Sequence, residues 1–164
     1  MNDVNLGARS AEILKKCLYA NIATAAGDEP WNTPATAIPD SDLNFYWSSW
    51  VEAVHSKNLI ENGAAFLTFY DSTRLRGTNN MMCLYLQCDA IEVEDPVEAA
   101  KAFRLLYPDE EVNLENFLKN GIKRFYRATP KKAWLNCLSE KELEPSTLKM
   151  RIEVSLDEIK TAMI

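Results

Sequence analysis

The residues best suited to chemistry lie in one stretch of the chain, WSSWVEAVHSKNLIENG, which covers positions 47–63. A strand is expected to run into a helix there, and the first turn of a helix leaves amide protons unpaired and carries a partial positive charge. Hydroxyl and basic side chains beside such a turn suit a phosphate. The stretch therefore predicts an anion-binding site where the strand meets the helix. The same residues are also consistent with an ordinary amphipathic helix whose polar side chains are solvated. The polar candidates are Ser48, Ser49, His55, Ser56 and Lys57.

A capping box marks the expected start of the helix in this stretch. In SWVE, residues 49–52, Ser49 can accept the amide proton of Glu52 while the Glu52 side chain reaches back to the Ser49 amide. The pattern predicts a helix that begins near Trp50 and stops at Gly63, where glycine can adopt a left-handed conformation. Because capping would occupy Ser49 and place a carboxylate nearby, the phosphate would depend more on Ser48 and on residues 55–57.

Other catalytic arrangements find little support. Ser49, His55 and Asp71 could form a hydrolase triad in principle, but no strained nucleophile elbow such as GxSxG accompanies them. Most carboxylates fall at expected helix caps or on exposed faces, where they are common for structural reasons. Glycine-rich phosphate loops of the GxGxxG or GxxxxGK[ST] type are absent. The sequence therefore predicts no catalytic acid or base, and the catalytic residues stay unknown.

Composition narrows the classes of function. The chain has 164 residues and a net charge of −6, so a single domain with its own core is expected, and an extended nucleic-acid surface is disfavoured. The four cysteines form no CxxC pair and His55 is the sole histidine, so no metal site is predicted and reduced thiols are expected. No signal peptide and no apolar run of membrane-spanning length is found in the sequence, which gives a cytoplasmic location as the expectation.

The elements that must position these residues follow from periodicity and turn chemistry. Helical spacing predicts an amphipathic helix over 8–19, and Asp95-Pro96 followed by Glu98 marks the start of another. Short helices are expected near 114–119 and after Ser155, and residues 140–146 are expected to form a charged connector. The turn at Gly27-Asp28 predicts a hairpin between the first two strands. The predicted strands cover 19–25, 31–38, 43–47, 64–70, 83–93, 122–128, 132–137 and 148–154.

These elements predict the fold class. Seven or eight strands joined largely by hairpins favour an antiparallel barrel, since a parallel doubly wound sheet needs a helix between nearly every pair of strands. No internal repeat or linker interrupts the chain. We therefore predict a mainly β protein, a β-barrel with flanking helices, formed as one domain over residues 1–164.

The order of these elements resembles that of the pyridoxamine 5'-phosphate oxidase-like FMN-binding split-barrel family. The resemblance covers about residues 19–137. Four blocks carry it: YANIATAAGDEPWNTPATAI, LNFYWSSWVEAVHSKNLIENGAAFLTFYDS, MMCLYLQCDAIEV and RFYRATPKKAWLN. The second block is the most specific of the four. The resemblance implies a split β-barrel of the FMN-binding type.

The resemblance also implies a cofactor site. In this family, hydroxyl and basic side chains at the strand-to-helix junction grip the flavin phosphate, which here implies Ser48, Ser49, His55, Ser56 and Lys57. Two registers of the motif leave open whether His55 or Lys57 is the main cation. The ring system of the flavin would lie along the second strand, and the last block, which contains Trp134, would reach the flavin of a neighbouring subunit. The implied ring neighbours are Asn32, Thr33, Pro34, Ala35 and Trp47.

Two functions remain open at this point. The first is a homodimeric FMN-dependent oxidoreductase with the flavin at the subunit interface and an unknown small-molecule substrate. The second is a non-catalytic protein that binds, stores or senses flavin or a deazaflavin, and an apo structural dimer is a third possibility. The chain ends in LKMRIEVSLDEIKTAMI and lacks the basic RLHxR-type motif of pyridoxamine phosphate oxidase proper, so pyridoxamine phosphate is not the expected substrate.

Overall fold

A computed structural model describes residues 5–78, 80–137 and 151–164. The described chain forms one sheet of eight strands with four helices around it. The elements in chain order are α1 (Leu6–Lys16), β1 (Tyr19–Ala26), β2 (Glu29–Thr36), β3 (Ile38–Pro39), β4 (Phe45–Trp50), α2 (Val54–Asn62), β5 (Ala64–Tyr70), β6 (Cys83–Glu92), α3 (Pro96–Leu106), β7 (Lys123–Asn136), β8 (Arg151–Val154) and α4 (Leu156–Met163).

The sheet is an open, curled antiparallel half-barrel. Its strand order is β2-β1-β5-β6-β7-β4-β3, and β8 pairs with β7 beside this path. Curling brings β2, at one end of the order, close to β4 near the other end. The gap between β2 and β4 is the split of the barrel. The predicted fold class, a mainly β split barrel with flanking helices, is thus confirmed.

Two apolar clusters hold the fold together. Inside the half-barrel, the inward side chains of successive strands are fully buried, among them Ile22, Leu67 and Leu86. Helices α1 and α4 pack on one another and cover part of this core. A second cluster lies between α3 and the outer side of β4 and β7, where Phe103 and Phe125 are buried. Strand β4 therefore carries apolar side chains on both faces, and α3 is fixed to the sheet beside it.

Several elements confirm the sequence predictions. The hairpin of β1 and β2 turns at Gly27, and β5 covers residues 64–70 as expected. Asp95 caps α3 by accepting the amide proton of Glu98 at 2.9 Å. Gly63 ends α2 with φ of 66°, a left-handed conformation that most other residues adopt only with strain. Local turn and cap chemistry therefore determined these boundaries.

The capping box predicted at Ser49 is wrong. Strand β4 continues through Trp50, because residues 45–50 pair with β7, and α2 begins only at Val54 with Ala53 in the cap position. Glu52 lies in the turn between them and forms an ion pair with Lys57 at 2.8 Å. Strand pairing with a distant part of the chain therefore overrode a local helix signal. Ser155 does precede α4, as expected, but its side chain makes no capping hydrogen bond.

Strand β7 replaces two predicted strands. The expected break between residues 128 and 132 does not occur, and 14 residues form one strand from Lys123 to Asn136. Pro130 fits within it because the register with β6 shifts between Gln87 and Cys88. Residues 114–119 form turns instead of the short helix predicted there. The predicted connector at 140–146 and the first part of the predicted strand at 148–154 lie outside the described residues, whereas residues 151–154 form β8.

Candidate functional site

A cavity of about 190 Å³ lies at the split of the barrel, between the two ends of the sheet. Strand β2 forms one wall, β4 the other, and α2 and the start of β7 complete it. We call it the split cavity. Among the described residues, none that lines it carries a carboxylate. The lining residues are Thr33, Pro34, Ala35, Ser48, Ser49, Trp50, His55 and Lys123.

The β2 wall presents a hydroxyl that is already oriented. Thr33 lies opposite Ile22 of β1 and so shares the inward face of the sheet with that core residue. Its Oγ1 accepts a hydrogen bond from the indole Nε1 of Trp31 at 2.9 Å and lies 3.3 Å from Nδ1 of His55. Thr33 therefore connects the exposed indole of Trp31 to the buried imidazole of His55.

His55 is the buried polar residue of the cavity. It lies in the first turn of α2, its exposed fraction is 5%, and burial lowers the pKa of the imidazole below its usual value near 6.5. Among the described residues no side chain or backbone group pairs with its buried Nε2 atom. The imidazole is therefore neutral at pH 7 and keeps one ring nitrogen for a further hydrogen bond.

Serine hydroxyls and an indole form the β4 wall. Ser48 and Ser49 point to opposite sides of the strand, as consecutive strand residues do. The Ser48 hydroxyl hydrogen-bonds with the Tyr107 hydroxyl at 2.8 Å, which ties the cavity wall to the end of α3. Trp50 has 55% of its surface exposed and stands at the mouth of the cavity. The wall thus combines hydrogen-bonding groups with an exposed aromatic ring.

Lys123 supplies the positive charge of the split cavity. It lies opposite Trp50 in the β4–β7 register, and its Nζ is 5.2 Å from the centre of the Trp50 ring and 5.9 Å from that of Phe117. No described carboxylate forms an ion pair with it. A cavity lined by a lysine without a described carboxylate partner, by hydroxyl side chains and by an imidazole is suited to an anion.

Most of the sequence candidates meet in this cavity. Both serines of the strand-to-helix junction and the histidine of the helix line it, and so do three of the four candidates on the second strand. The open choice between His55 and Lys57 falls on His55 as far as position is concerned. The candidates brought together are Thr33, Pro34, Ala35, Ser48, Ser49 and His55.

Lys57 and Ser56 do not line the split cavity. The Lys57 ammonium pairs with Glu52 on the surface, with more than half of its side chain exposed. The Ser56 hydroxyl is fully buried and donates to the backbone carbonyl of Trp50 at 2.8 Å. Ser56 therefore fixes the turn between β4 and α2, and Lys57 stabilises the outer surface of the helix.

The remaining candidates also lie elsewhere. Trp47, expected beside the cofactor ring, has an exposed fraction of 0% and stacks on Tyr126 inside the core with ring centres 5.6 Å apart. Trp134 lies in the distal half of β7, where it stacks on Phe66 of β5. Asn32 is exposed, and its amide approaches Asn21 of β1 at 3.4 Å. Within one chain, none of these three lines the split cavity.

Sequence reasoning missed two lining residues, Trp50 and Lys123. Trp50 was assigned to the start of a helix, whereas it ends β4. Lys123 follows it by 73 positions in the sequence and reaches the cavity only through strand pairing. A basic residue at the start of a predicted strand was the sole signal, and it does not reveal which strand will lie opposite.

A second cavity, which we call the turn cavity, has a volume of about 380 Å³. Arg124 lies within it and is fully engaged, since its guanidinium pairs with Glu92 at 2.7 Å and donates to the carbonyls of Lys119, Gly121 and Lys123. Two glutamates contribute negative charge to the same walls. The lining residues are Glu92, Val93, Glu94, Leu118, Lys119 and Arg124.

Two further structural features bear on function. In the parts of the chain that the structure describes, no group of three or more histidine, cysteine or acidic side chains could hold a metal ion. No helix among the described residues is both long enough and apolar enough to cross a membrane.

Comparison with known proteins identifies the fold. No protein-family model matches the sequence, and no curated protein matches it either. Among solved structures, a protein from Clostridium acetobutylicum related to general stress protein 26 of B. subtilis (pyridoxinephosphate oxidase family) is 14% identical. The alignment covers 93% of this chain and 96% of that one, with a TM-score of 0.62.

Two other solved structures share the architecture. A NimC/NimA family protein from Clostridium acetobutylicum is 19% identical, with a TM-score of 0.58 over 79% of this chain and 86% of that one. A heme binding protein from Mycobacterium smegmatis is 12% identical, with a TM-score of 0.64 over 94% of this chain and 60% of that one. These likenesses confirm the split-barrel fold that the sequence resemblance implied.

Proposed function

We propose that this split barrel binds FMN, with the phosphate in the split cavity, and works as a flavin-dependent oxidoreductase. The observation that carries the proposal is the composition of the cavity. Lys123 without a carboxylate partner, three hydroxyls and the buried His55 come together there, and no lining residue is acidic. This is the strand-to-helix junction at which the sequence resemblance implied a phosphate grip.

The size of the cavity supports a partial enclosure of the cofactor. Pockets that enclose a whole small ligand have volumes of about 300–1,000 Å³, and the split cavity has about 190 Å³. It suits the phosphate end of FMN. Residues 33–35 of β2 and the exposed indole of Trp50 are the groups that would hold the rest of the molecule.

Incomplete enclosure supports the proposal that two copies of the chain form the functional unit. Trp31 and Trp50, on the two sides of the split, are 46% and 55% exposed, and large exposed aromatic side chains are typical of surfaces that another molecule covers. In a homodimer with the flavin at its interface, a partner subunit would cover the ring system. Trp134 would contribute to the flavin site of that partner.

The bound flavin would supply hydride or electron transfer, and the chain would bind and orient it. Lys123 would neutralise phosphate charge, and the hydroxyl of Ser49 would donate a hydrogen bond to a phosphate oxygen. Because His55 is neutral at pH 7, it would act as a hydrogen-bonding group and not as a second cation. We propose the cytoplasm as the place of action, since Cys17, Cys83 and Cys88 are free thiols.

Titration with FMN and with riboflavin tests the proposal. Flavin fluorescence and equilibrium dialysis should give FMN an affinity at least about tenfold higher than that of riboflavin, because riboflavin lacks the phosphate. Equal affinity for the two flavins would place the phosphate outside the split cavity, and absence of binding to either would overturn the proposed cofactor. Hemin, tested in parallel, should bind no more tightly than FMN.

A second candidate function is non-catalytic binding, storage or sensing of FMN or a deazaflavin. It is favoured by one observation: none of the described residues that line the split cavity is acidic, so no carboxylate is in place to exchange protons with a substrate. Anaerobic mixing of the flavin-loaded protein with NADH or NADPH separates the alternatives. Bleaching of the flavin absorbance, followed by reoxidation when oxygen is admitted as the electron acceptor and repeated over many turnovers, supports an enzyme, and unchanged absorbance supports a carrier or sensor.

A further inference from the structure

Three side chains form a continuous line of hydrogen bonds from the surface to the wall of the split cavity. The indole of Trp31, 46% exposed, donates through Nε1 to Oγ1 of Thr33 at 2.9 Å. The same oxygen lies 3.3 Å from Nδ1 of His55, whose exposed fraction is 5%. An indole N–H can only donate, so the direction of the first bond is fixed.

We propose that Thr33 is a positioning residue for His55, because its hydroxyl donates to Nδ1 and so holds the imidazole as the Nε2–H tautomer. The oxygen of Thr33 accepts from Trp31, and its own proton then has Nδ1 as its acceptor. In the opposite arrangement Nδ1–H would donate to Thr33, and the Thr33 proton would have no acceptor among the described residues. Nε2 lacks a partner among the described residues in both arrangements, so the acceptor of the Thr33 proton decides between them.

This series of hydrogen bonds gives the cavity an uncharged donor, the Nε2–H group of His55. A donating Thr33 hydroxyl is strengthened by the bond that it accepts from Trp31, since successive hydrogen bonds polarise one another. The Nε2–H group of His55 is then available to an acceptor oxygen such as that of a phosphate. This consequence rests on the proposed function, whereas the tautomer itself does not. Burial also favours the neutral imidazole, the form in which tautomers exist.

The single histidine makes the tautomer directly measurable. Long-range ¹H–¹⁵N correlation spectra of ¹⁵N-labelled protein at pH 7.5, without flavin, contain one folded imidazole. Wild type should show a protonated, pyrrole-type Nε2 and a bare, pyridine-type Nδ1. Thr33→Val removes the hydroxyl and should lower the ratio of the Nε2–H to the Nδ1–H tautomer about fivefold, as expected for the loss of one hydrogen bond. Thr33→Ser should restore the wild-type spectrum.

Matched variants separate positioning from general damage to the fold. Thr68→Val removes a hydroxyl from the same sheet, on a strand that does not line the cavity, and should leave the imidazole signals unchanged. Trp31→Phe keeps an aromatic ring but removes the indole donor, and it should shift the ratio in the same direction as Thr33→Val by a smaller factor. Circular dichroism establishes that each variant is folded, and Trp31→Phe serves as the test should Thr33→Val fail to fold.

The outcomes distinguish this inference from the proposed function. An Nδ1–H tautomer in wild type, or identical spectra for wild type and Thr33→Val, overturns the positioning role even if FMN binds tightly. If the tautomer is as expected, FMN affinity of Thr33→Val should fall about fivefold and that of Thr33→Ser should not. A wild-type protein with the Nε2–H tautomer that binds no flavin would retain the positioning role and lose the proposed cofactor.

Discussion

The split cavity and the turn cavity are each lined by one basic residue at the start of β7, and the two basic side chains have different surroundings. In the turn cavity, about 380 Å³, Arg124 is engaged by Glu92 and by three backbone carbonyls. In the split cavity, about 190 Å³, Lys123 contacts two aromatic rings and no carboxylate. Adjacent basic residues of one strand thus serve different purposes.

The difference teaches that the larger cavity is not necessarily the better suited to an anion. The turn cavity is twice as large, but its positive charge is already neutralised, and a ligand anion would have to displace Glu92. The split cavity is smaller, yet among the described residues Lys123 has no ion-pair partner and the Nε2 atom of His55 has no hydrogen-bond partner. Unsatisfied hydrogen-bonding capacity is costly to maintain, which makes it a better indication of a ligand than empty space.

The largest effect should come from Arg124→Met. It removes one partner of a mostly buried ion pair together with the bonds that hold residues 119–121, so the free energy of unfolding should fall by about 3 kcal/mol. Urea unfolding measures it. Arg104→Met, at an exposed position on α3 without an ion pair, is the control and should change little. If both variants unfold alike, Arg124 has no structural role and the contrast between the cavities disappears.

Lys123→Gln should reduce FMN affinity by about 10- to 100-fold, the usual range for a hydrogen bond to a charged group. The loss is expected because Lys123 carries the positive charge of the split cavity. Fluorescence titration of FMN measures the change. Riboflavin affinity should change far less, because riboflavin has no phosphate for the ammonium to contact.

Two lysines serve as controls for that substitution. Lys119→Gln alters the turn cavity, and Lys57→Gln alters the surface ion pair with Glu52, so neither should change FMN affinity by more than about twofold. A large loss in Lys119→Gln would assign the phosphate to the turn cavity. A large loss in Lys57→Gln would restore the alternative cation that the sequence left open.

As the pH falls, the free energy of unfolding should decline first through His55, which lines the split cavity. Burial lowers the pKa of His55, so below about pH 6.5 the unfolded chain takes up its proton more readily than the folded chain. The stabilising contribution of neutral His55 is present above that pH and declines as the pH falls toward the folded pKa. Urea unfolding between pH 7.5 and 5 should show a steeper decline in wild type than in His55→Gln.

Asp40 provides an internal comparison at lower pH. Burial alone would raise the pKa of its carboxyl, but the ion pair with Lys101 and hydrogen bonds from Asn44 outweigh burial and lower it below 3.8. Its contribution is therefore present above about pH 3.8 and is lost only as the pH falls through the folded pKa. Parallel curves for wild type and His55→Gln between pH 7.5 and 5 would contradict the role given to His55.

The smallest effect should come from Glu52→Gln. The ion pair with Lys57 is exposed on both sides, and solvent screening leaves such pairs little net value. The urea midpoint should remain within experimental error of wild type. A clear fall would mean that Glu52 caps α2 after all, and Ala53→Gly, at the observed cap position, is the comparison that would then be informative.

Local signals predicted much of this fold correctly. The hairpin at Gly27, strand β5, the start of α3 at Asp95 and the end of α2 at Gly63 all follow from residues within a few positions of the boundary. Hairpin connections and the lack of helices between the first three strands also predicted a mainly antiparallel sheet. These features were predictable because their physical causes lie within the same short stretch of sequence.

The errors have non-local causes. The extension of β4 through Trp50 depends on β7, which lies more than 70 positions away, and so does the arrival of Lys123 in the split cavity. The resemblance implied Trp47 as a neighbour of the flavin ring, whereas strand alternation directs its side chain into the core. Spacing in the sequence does not reveal which lysine lacks a carboxylate partner, because ion pairing depends on tertiary contacts.

The central place of β7 in the sheet has a consequence for synthesis. Among the described strands, β7 alone joins β4 and β3 to the rest of the sheet, and its residues 123–128 pair with residues 45–50. On the ribosome, a nascent chain that ends before position 123 has produced β4 and β6 without the strand that lies between them. The edges of β4 and β6 then stay unpaired until β7 is synthesised, and unpaired strand edges can pair with other chains. We therefore expect nascent chains of this protein to need protection from a chaperone until β7 has been synthesised.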